Sequence, residues 1–144
     1  MKPKICAGGF LLKDNKFLFG KRSRDKKWAA GVWDIVGGHA EKHEDVYDTL
    51  KRETLEETGV IVNGAELLSV MEVRDRSKAG FFRYYVYMIT EWEGKPENCS
   101  EEHSALAWFT LEELQRIELA LPEYISLAEA WLTTHGKSPL QERQ

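Results

Sequence analysis

The order of patterned segments predicts an α/β (α+β) fold in which a mixed β-sheet is covered by helices on both faces. Three observations carry this. Strand-like apolar runs occupy both halves of the chain, one strongly marked helix lies between them, and two shorter helix signals follow the last run. At 144 residues without internal repeats, the chain fits one domain over residues 1–135, with a flexible tail at 136–144.

Each element has its own signal. Residues 5–12 and 17–22 read as two strands around a turn at Asp14-Asn15. Residues 23–30 form a polar, basic loop. Trp33-Asp34-Ile35-Val36 is a short apolar strand, and Gly37 and Gly38 after it permit a sharp turn with exposed backbone carbonyls. Asp45 suits a helix N-cap, with Asp48 three positions on, and both acids complement the positive end of the helix dipole. The helix runs to Thr58 and Gly59 stops it. Residues 65–73 and 81–92 are further strands, the second alternating and rich in aromatics. Thr110 and Glu113 match a capping box for a short helix, and Pro122 opens another that reaches about Thr134.

The chemistry concentrates on the middle helix. At ~100° per residue, Glu53, Glu56 and Glu57 share about one third of its circumference. Like charges so placed repel, and Arg52 compensates only part of the repulsion, so the pattern asks for a cation. Val46 and Leu50 lie on the side of Glu53 and Glu57, whereas a merely solvated acidic face would lie opposite the apolar one. The stripe thus starts as core and ends as cleft lining. Leu55, on the other side, weakens the contrast, and a surface helix braced by pairs such as Arg52 with Glu56 is the competing reading. Oxygen-only ligands in this number suit magnesium better than zinc, and no Cys or His pair with zinc-like spacing competes.

The run GHAEKHEDVYDTLKRETLEETGV over residues 38–60 resembles the Nudix box, the signature of the Nudix hydrolases. Gly38, Glu44, Arg52, Glu53, Glu56, Glu57, Gly59 and Val60 stand at its fixed positions. Two residues depart: Thr54 takes an apolar position, where a small β-branched side chain can still pack, and His43 stands where the family often has glycine. The resemblance covers the box strongly and residues 5–114 loosely. It implies a Nudix α/β/α sandwich and a metal site in which Gly38, Glu53, Glu56 and Glu57 hold Mg²⁺, with Mn²⁺ as a substitute. Glu57 is the foremost ligand, and Arg52 orients a glutamate by a charge-assisted bond. Glu44, nearly opposite Glu53 on a continuous helix, is expected to shape the start of the helix rather than bind metal. The implied reaction is metal-dependent attack of water on a diphosphate linkage. Glu102, several residues before Trp108, has the offset of a family glutamate that approaches the metal as ligand or base. His39, His43, His103 and His135 form no pair and read as surface or structural residues.

The remaining expectations concern the substrate. Basic residues cluster at Lys21, Arg22, Arg24, Lys26 and Lys27, and again at Arg74, Arg76, Lys78 and Arg83. Arg22, at a strand end, is the one expected to line the pocket, and Trp28 or Phe82 is expected to stack on a base. The region after the box lacks the proline of the ADP-ribose branch, the tyrosine of the dinucleoside polyphosphate branch and the proline-rich element of the NADH branch. What remains resembles nucleotide-pool enzymes that release pyrophosphate from ordinary or oxidised nucleoside triphosphates. ADP-ribose, a nucleotide sugar, or noncatalytic nucleotide binding on the same fold are the alternatives. An isomerase relative would need a catalytic cysteine, and neither cysteine has such a context.

A formal charge of −4 argues against polymeric nucleic acid as a partner. Cys6 and Cys99 sit in no motif and suggest free thiols in a reducing, cytoplasmic setting, and no membrane segment or signal peptide is visible. The aromatic strand at 81–92 is expected to offer a pairing edge for a homodimer.

Overall fold

The computed structural model describes residues 3–25, 30–74 and 80–136. A two-residue turn at Asp14-Asn15, both with positive φ, joins β1 (Lys4–Lys13) to β2 (Lys16–Arg22). That conformation matches the right-handed twist of an antiparallel hairpin, and Asp and Asn tolerate it. Next come β3 (Trp33–Asp34), β4 (Val36–His39), α1 (Val46–Thr58), β5 (Ile61–Arg74), β6 (Phe81–Glu93) and β7 (His103–Phe109). Helices α2 (Leu111–Leu114) and α3 (Glu123–His135) close the order.

The strand order is β3-β2-β1-β6-β5, with β4 paired to β1 and β7 to β2. The sheet is mixed because β1 and β6 run parallel, from Lys4↔Phe82 to Leu11↔Ile89, while the other ladders are antiparallel. Period-two alternation sorts the side chains into two cores. Cys6, Phe10, Leu12, Phe17, Phe19, Tyr84, Val86 and Met88 face one side, where Leu114, Tyr124 and Trp131 of α2 and α3 cover them. Ala7, Leu11, Leu18, Tyr87 and Ile89 face the other, where Leu50 of α1 and Val60 cover them. The sheet is therefore covered on both faces, as predicted.

Several boundaries differ from the sequence reading. β5 starts at Ile61 rather than residue 65, because register shifts around Gly64 absorb residues that break the alternation. The strand at residues 33–36 is split at Ile35, whose N–H bonds to the carboxylate of Asp34 instead of a neighbouring strand. The homodimer edge is corrected: β6 lies inside the sheet, flanked by β1 and β5, so it has no open edge to offer. The tail beyond Gly136 lies outside the described residues, as does Trp28. Among the described residues no helix is long and apolar enough to cross a membrane.

Candidate functional site

Helix α1 is fixed at both ends by the residues its sequence marked. Asp45 accepts a hydrogen bond from the Tyr47 N–H, and Gly59 adopts φ 77° so that its N–H reaches the Leu55 carbonyl. Leu50 is fully buried and sets the rotation of the helix, and Thr54 is buried with it. Leu55 is half exposed on the outer side. With that rotation, Glu53 and Glu57 turn toward the strand that carries Gly37 and Gly38.

Arg52 organises the outer flank of the cluster. Its Nε and Nη2 donate to Glu44 at 2.8 and 3.0 Å, its Nη1 donates to Glu53 at 3.1 Å and Glu56 at 3.2 Å, and Nη2 also donates to the His39 carbonyl at 3.0 Å. These are charge-assisted bonds, and the one to Glu44 is a two-pronged fork. Glu44 also accepts from the Glu41 N–H and the Thr49 hydroxyl, which ties the preceding loop to the helix start. The guanidinium, the Glu41 N–H and the threonine together hold the Glu44 carboxyl down at about 2. Glu44 is thus a structural partner of Arg52, as its position implied.

The inner flank is different. Glu57 is 2 % exposed, and burial raises its carboxyl well above the usual range. The facing carboxyl of Glu53, bonded to it, adds to the rise, as does the charge of Glu102, and the Gly37 N–H offsets it only in part. A Cβ at Gly38 would stand 2.5 Å from the Glu53 carboxyl carbon, so only glycine leaves room for this acid against the strand. Glu57 Oε1 is buried without a hydrogen-bond partner.

The loop before β7 closes over this pair. The N–H of Cys99 bonds the Glu57 carbonyl at 2.9 Å and that of Glu97 bonds the Thr58 carbonyl at 3.0 Å. Ser23 holds the far side, its N–H on the Glu102 carbonyl and its hydroxyl on the Glu101 carbonyl. Glu102 is exposed at this rim and close enough to act electrostatically on both Glu57 and His39. His103 follows it, buried, with Nδ1 3.7 Å from Glu57 Oε1. No sequence signal marks this contact, because nothing in spacing pairs a strand's first residue with a helix's last turn.

Arg22 is the β2 partner of His103 and lies 3.8 Å from Asp34. Asp34 is buried and accepts from the Tyr124 hydroxyl at 2.5 Å, and burial still pushes its carboxyl up to about 6 against these partners. Phe82 is half buried with its ring against His39 at 5.3 Å. The structure therefore brings Arg22, Gly38, Glu53, Glu57, Phe82 and Glu102 to one end of the sheet, with Glu56 turned outward to Arg52 and more than half exposed.

Among the described residues no three acidic, imidazole or thiol side chains converge into a ready cation cage. What converges is the Glu53–Glu57 pair, in which two carboxyls bond each other and one carries raised proton affinity. Oxygen-only donors of this kind suit magnesium or manganese. The residues present fit the group that the sequence implied.

A model of the NUDIX domain matches residues 2–130. The chain belongs to the Nudix family. An 8-oxo-dGTP diphosphatase from Buchnera aphidicola subsp. Schizaphis graminum is 28% identical over 126 residues, covering 85% of this chain and 88% of that protein. An ADP-ribose pyrophosphatase from Methanocaldococcus jannaschii is 33% identical over 89 residues, 62% of this chain and 52% of the relative. The crystal structure of the MutT NUDIX hydrolase from Burkholderia pseudomallei superposes with TM-score 0.75 at 28% identity, covering 89% of this chain and 96% of that one. The chain is a Nudix hydrolase. Its Nudix box departs in backbone terms only at His43, which holds φ 67° where glycine would be unstrained.

Proposed function

We propose that this Nudix hydrolase cleaves the diphosphate linkage of nucleoside triphosphates, ordinary or oxidised, releasing pyrophosphate and a nucleoside monophosphate. The observation that carries the reading is Glu57, buried beside the Glu53 carboxyl at a strand turn where only glycine leaves room for Glu53. Glu53 and Glu57, with Glu56 and the Gly38 carbonyl, would hold Mg²⁺. When bound, that ion polarises phosphoryl oxygens and lowers the pKa of water.

The chain's own residues do the rest. Arg52 keeps Glu53 and Glu56 in place through its fork on Glu44. Glu102, exposed at the rim, accepts the proton of the attacking water, which adds to phosphorus as the anhydride P–O bond breaks and pyrophosphate leaves. Arg22 faces the substrate phosphates at the strand end, and Phe82 or Trp28, the latter outside the described residues, stacks on the base. The cytoplasm is the setting that supplies such substrates, and two free cysteines accord with it.

The Methanocaldococcus relative supports a second reading, ADP-ribose or a nucleotide sugar as substrate. One experiment separates them. Mg²⁺-dependent turnover is measured on ordinary and oxidised nucleoside triphosphates, ADP-ribose and nucleotide sugars, with Glu57→Gln beside the native chain. Turnover of the triphosphates that falls at least about a hundredfold in the variant is the expected result. Turnover confined to ADP-ribose or nucleotide sugars replaces the substrate, and no metal-dependent turnover of any compound overturns the catalytic reading.

A further inference from the structure

Three independent features bring the His103 ring against Glu57. The β2–β7 ladder pairs Lys21 with Ala105 and then Arg22 with His103, a register shift that skips one residue of β7. Such a bulge bends a strand and re-aims the side chain beside it. Gly20 supplies the space: a Cβ there would stand 2.5 Å from both Cγ and Cδ2 of the imidazole. The ring then sits with Nδ1 3.7 Å from Glu57 Oε1, each side chain 3% exposed. The backbone is pinned on both sides of this contact, by Asn98 Nδ2 on the His103 carbonyl and by the Cys99 N–H on the Glu57 carbonyl.

We propose that His103 is a positioning residue for the hydrolase reaction, its Nδ1–H facing Glu57 Oε1 and keeping that carboxylate turned toward Glu53, with Gly20 as the clearance that admits the ring. The inference rests on the metal-dependent reading given above. A histidine proton is favoured on the nitrogen that faces a carboxylate. At 3.7 Å the contact is longer than a hydrogen bond, as is common for catalytic-site contacts that tighten when the site is completed. A carboxylate at the end of a helix has rotamer freedom that a buried neighbour removes, and partners behind a metal ligand are worth roughly 10–100-fold in affinity. Glu57 Oε1, buried without a hydrogen-bond partner, is the oxygen that this neighbour faces.

The test compares His103→Leu, which fills space without a donor, with His103→Gln, which keeps one. Mn²⁺ affinity is read by electron paramagnetic resonance, beside metal-free thermal melts and the Mg²⁺ dependence of turnover. His103→Leu is expected to weaken Mn²⁺ binding roughly 10–100-fold and shift the Mg²⁺ midpoint upward, with turnover recovering at high Mg²⁺. His103→Gln is expected to restore most of the affinity. Native Mn²⁺ affinity in His103→Leu overturns the proposal, and so does equal loss in both variants matched by equal falls in the metal-free melt. Glu57→Gln separates the two claims: native Mn²⁺ affinity in that variant sinks the metal site itself, whereas its loss beside an unaffected His103→Leu sinks only the role of His103.

Discussion

The two flanks of helix α1 handle acidic side chains in opposite ways. On the outer flank Arg52 gives Glu44, Glu53 and Glu56 a counter-charge from the chain itself, and the Glu44 carboxyl is correspondingly held low. On the inner flank Glu57 lies buried against another carboxyl, and its proton affinity rises. The difference separates acids that carry an internal counter-charge from one that does not. Arg52 braces Glu44, Glu53 and Glu56 at the helix, and on the proposed reading Glu57, to which Arg52 gives no bond, is the acid that draws a cation from solution.

The sharpest way to break this contrast is Glu57→Gln. Activity is expected to fall at least about a hundredfold while metal-free stability at pH 8 stays level or rises, since a neutral amide removes a buried ionisation. The sign follows from the direction of the shift. A carboxyl raised in the folded state binds its proton more tightly there, so metal-free stability falls as pH rises, and Mg²⁺ should raise Tm more at pH 8 than at pH 6. Scanning calorimetry with and without Mg²⁺ checks this, and a larger Mg²⁺ effect at pH 6 would contradict it.

Asp34 tests an intermediate case, a buried acid with a guanidinium at 3.8 Å. Its carboxyl is raised from 3.8 to about 6, so its contribution favours folding below pH 4, is lost between about pH 4 and 6, and stays lost above. Asp34→Asn should therefore gain stability relative to the native chain across that window, by up to about 3 kcal/mol at ~1.4 per unit. Urea unfolding at pH 4 and pH 7 measures it, and a difference that does not grow with pH refutes the assignment.

Glu44→Gln weakens the Arg52 fork without touching the inner pair. An activity loss of roughly tenfold, with a lower Tm, is expected from steady-state kinetics and melts, and a loss as deep as that of Glu57→Gln would erase the distinction between the flanks. The smallest effect lies in the loop ahead of the helix. His43→Gly relieves a positive φ, and denaturant melts should show a gain of about 1 kcal/mol, reduced by the extra freedom of glycine in the unfolded chain.

These flanks were unequally legible in the sequence. Asp45, Gly59, the Asp14-Asn15 turn and the Thr110–Glu113 capping box act locally, within a few residues, and each appears where the pattern placed it. The period-two alternation likewise sorted the strands between two cores. Glu56 shows the limit: three acids on one helical face were expected to converge, but a fourth, Glu44, draws Arg52 outward and Glu56 with it. The place of β6 inside the sheet could not be read either, because its partner β1 is set by a parallel crossover with no local signature. His103 was invisible for a related reason, since its contact depends on a bulge and on a glycine in another strand.

That parallel pairing also has a consequence in time. Lys4 meets Phe82, so the first hairpin, complete at Arg22, waits for roughly sixty more residues before its open edge is filled. At about 5–20 residues per second on a ribosome, that is an interval on the order of 3 to 12 s. Throughout it the apolar faces of Phe10, Leu11 and Leu12 lack their later neighbours. Nascent chains of this protein should accordingly engage holdase chaperones until β6 emerges and be released soon after.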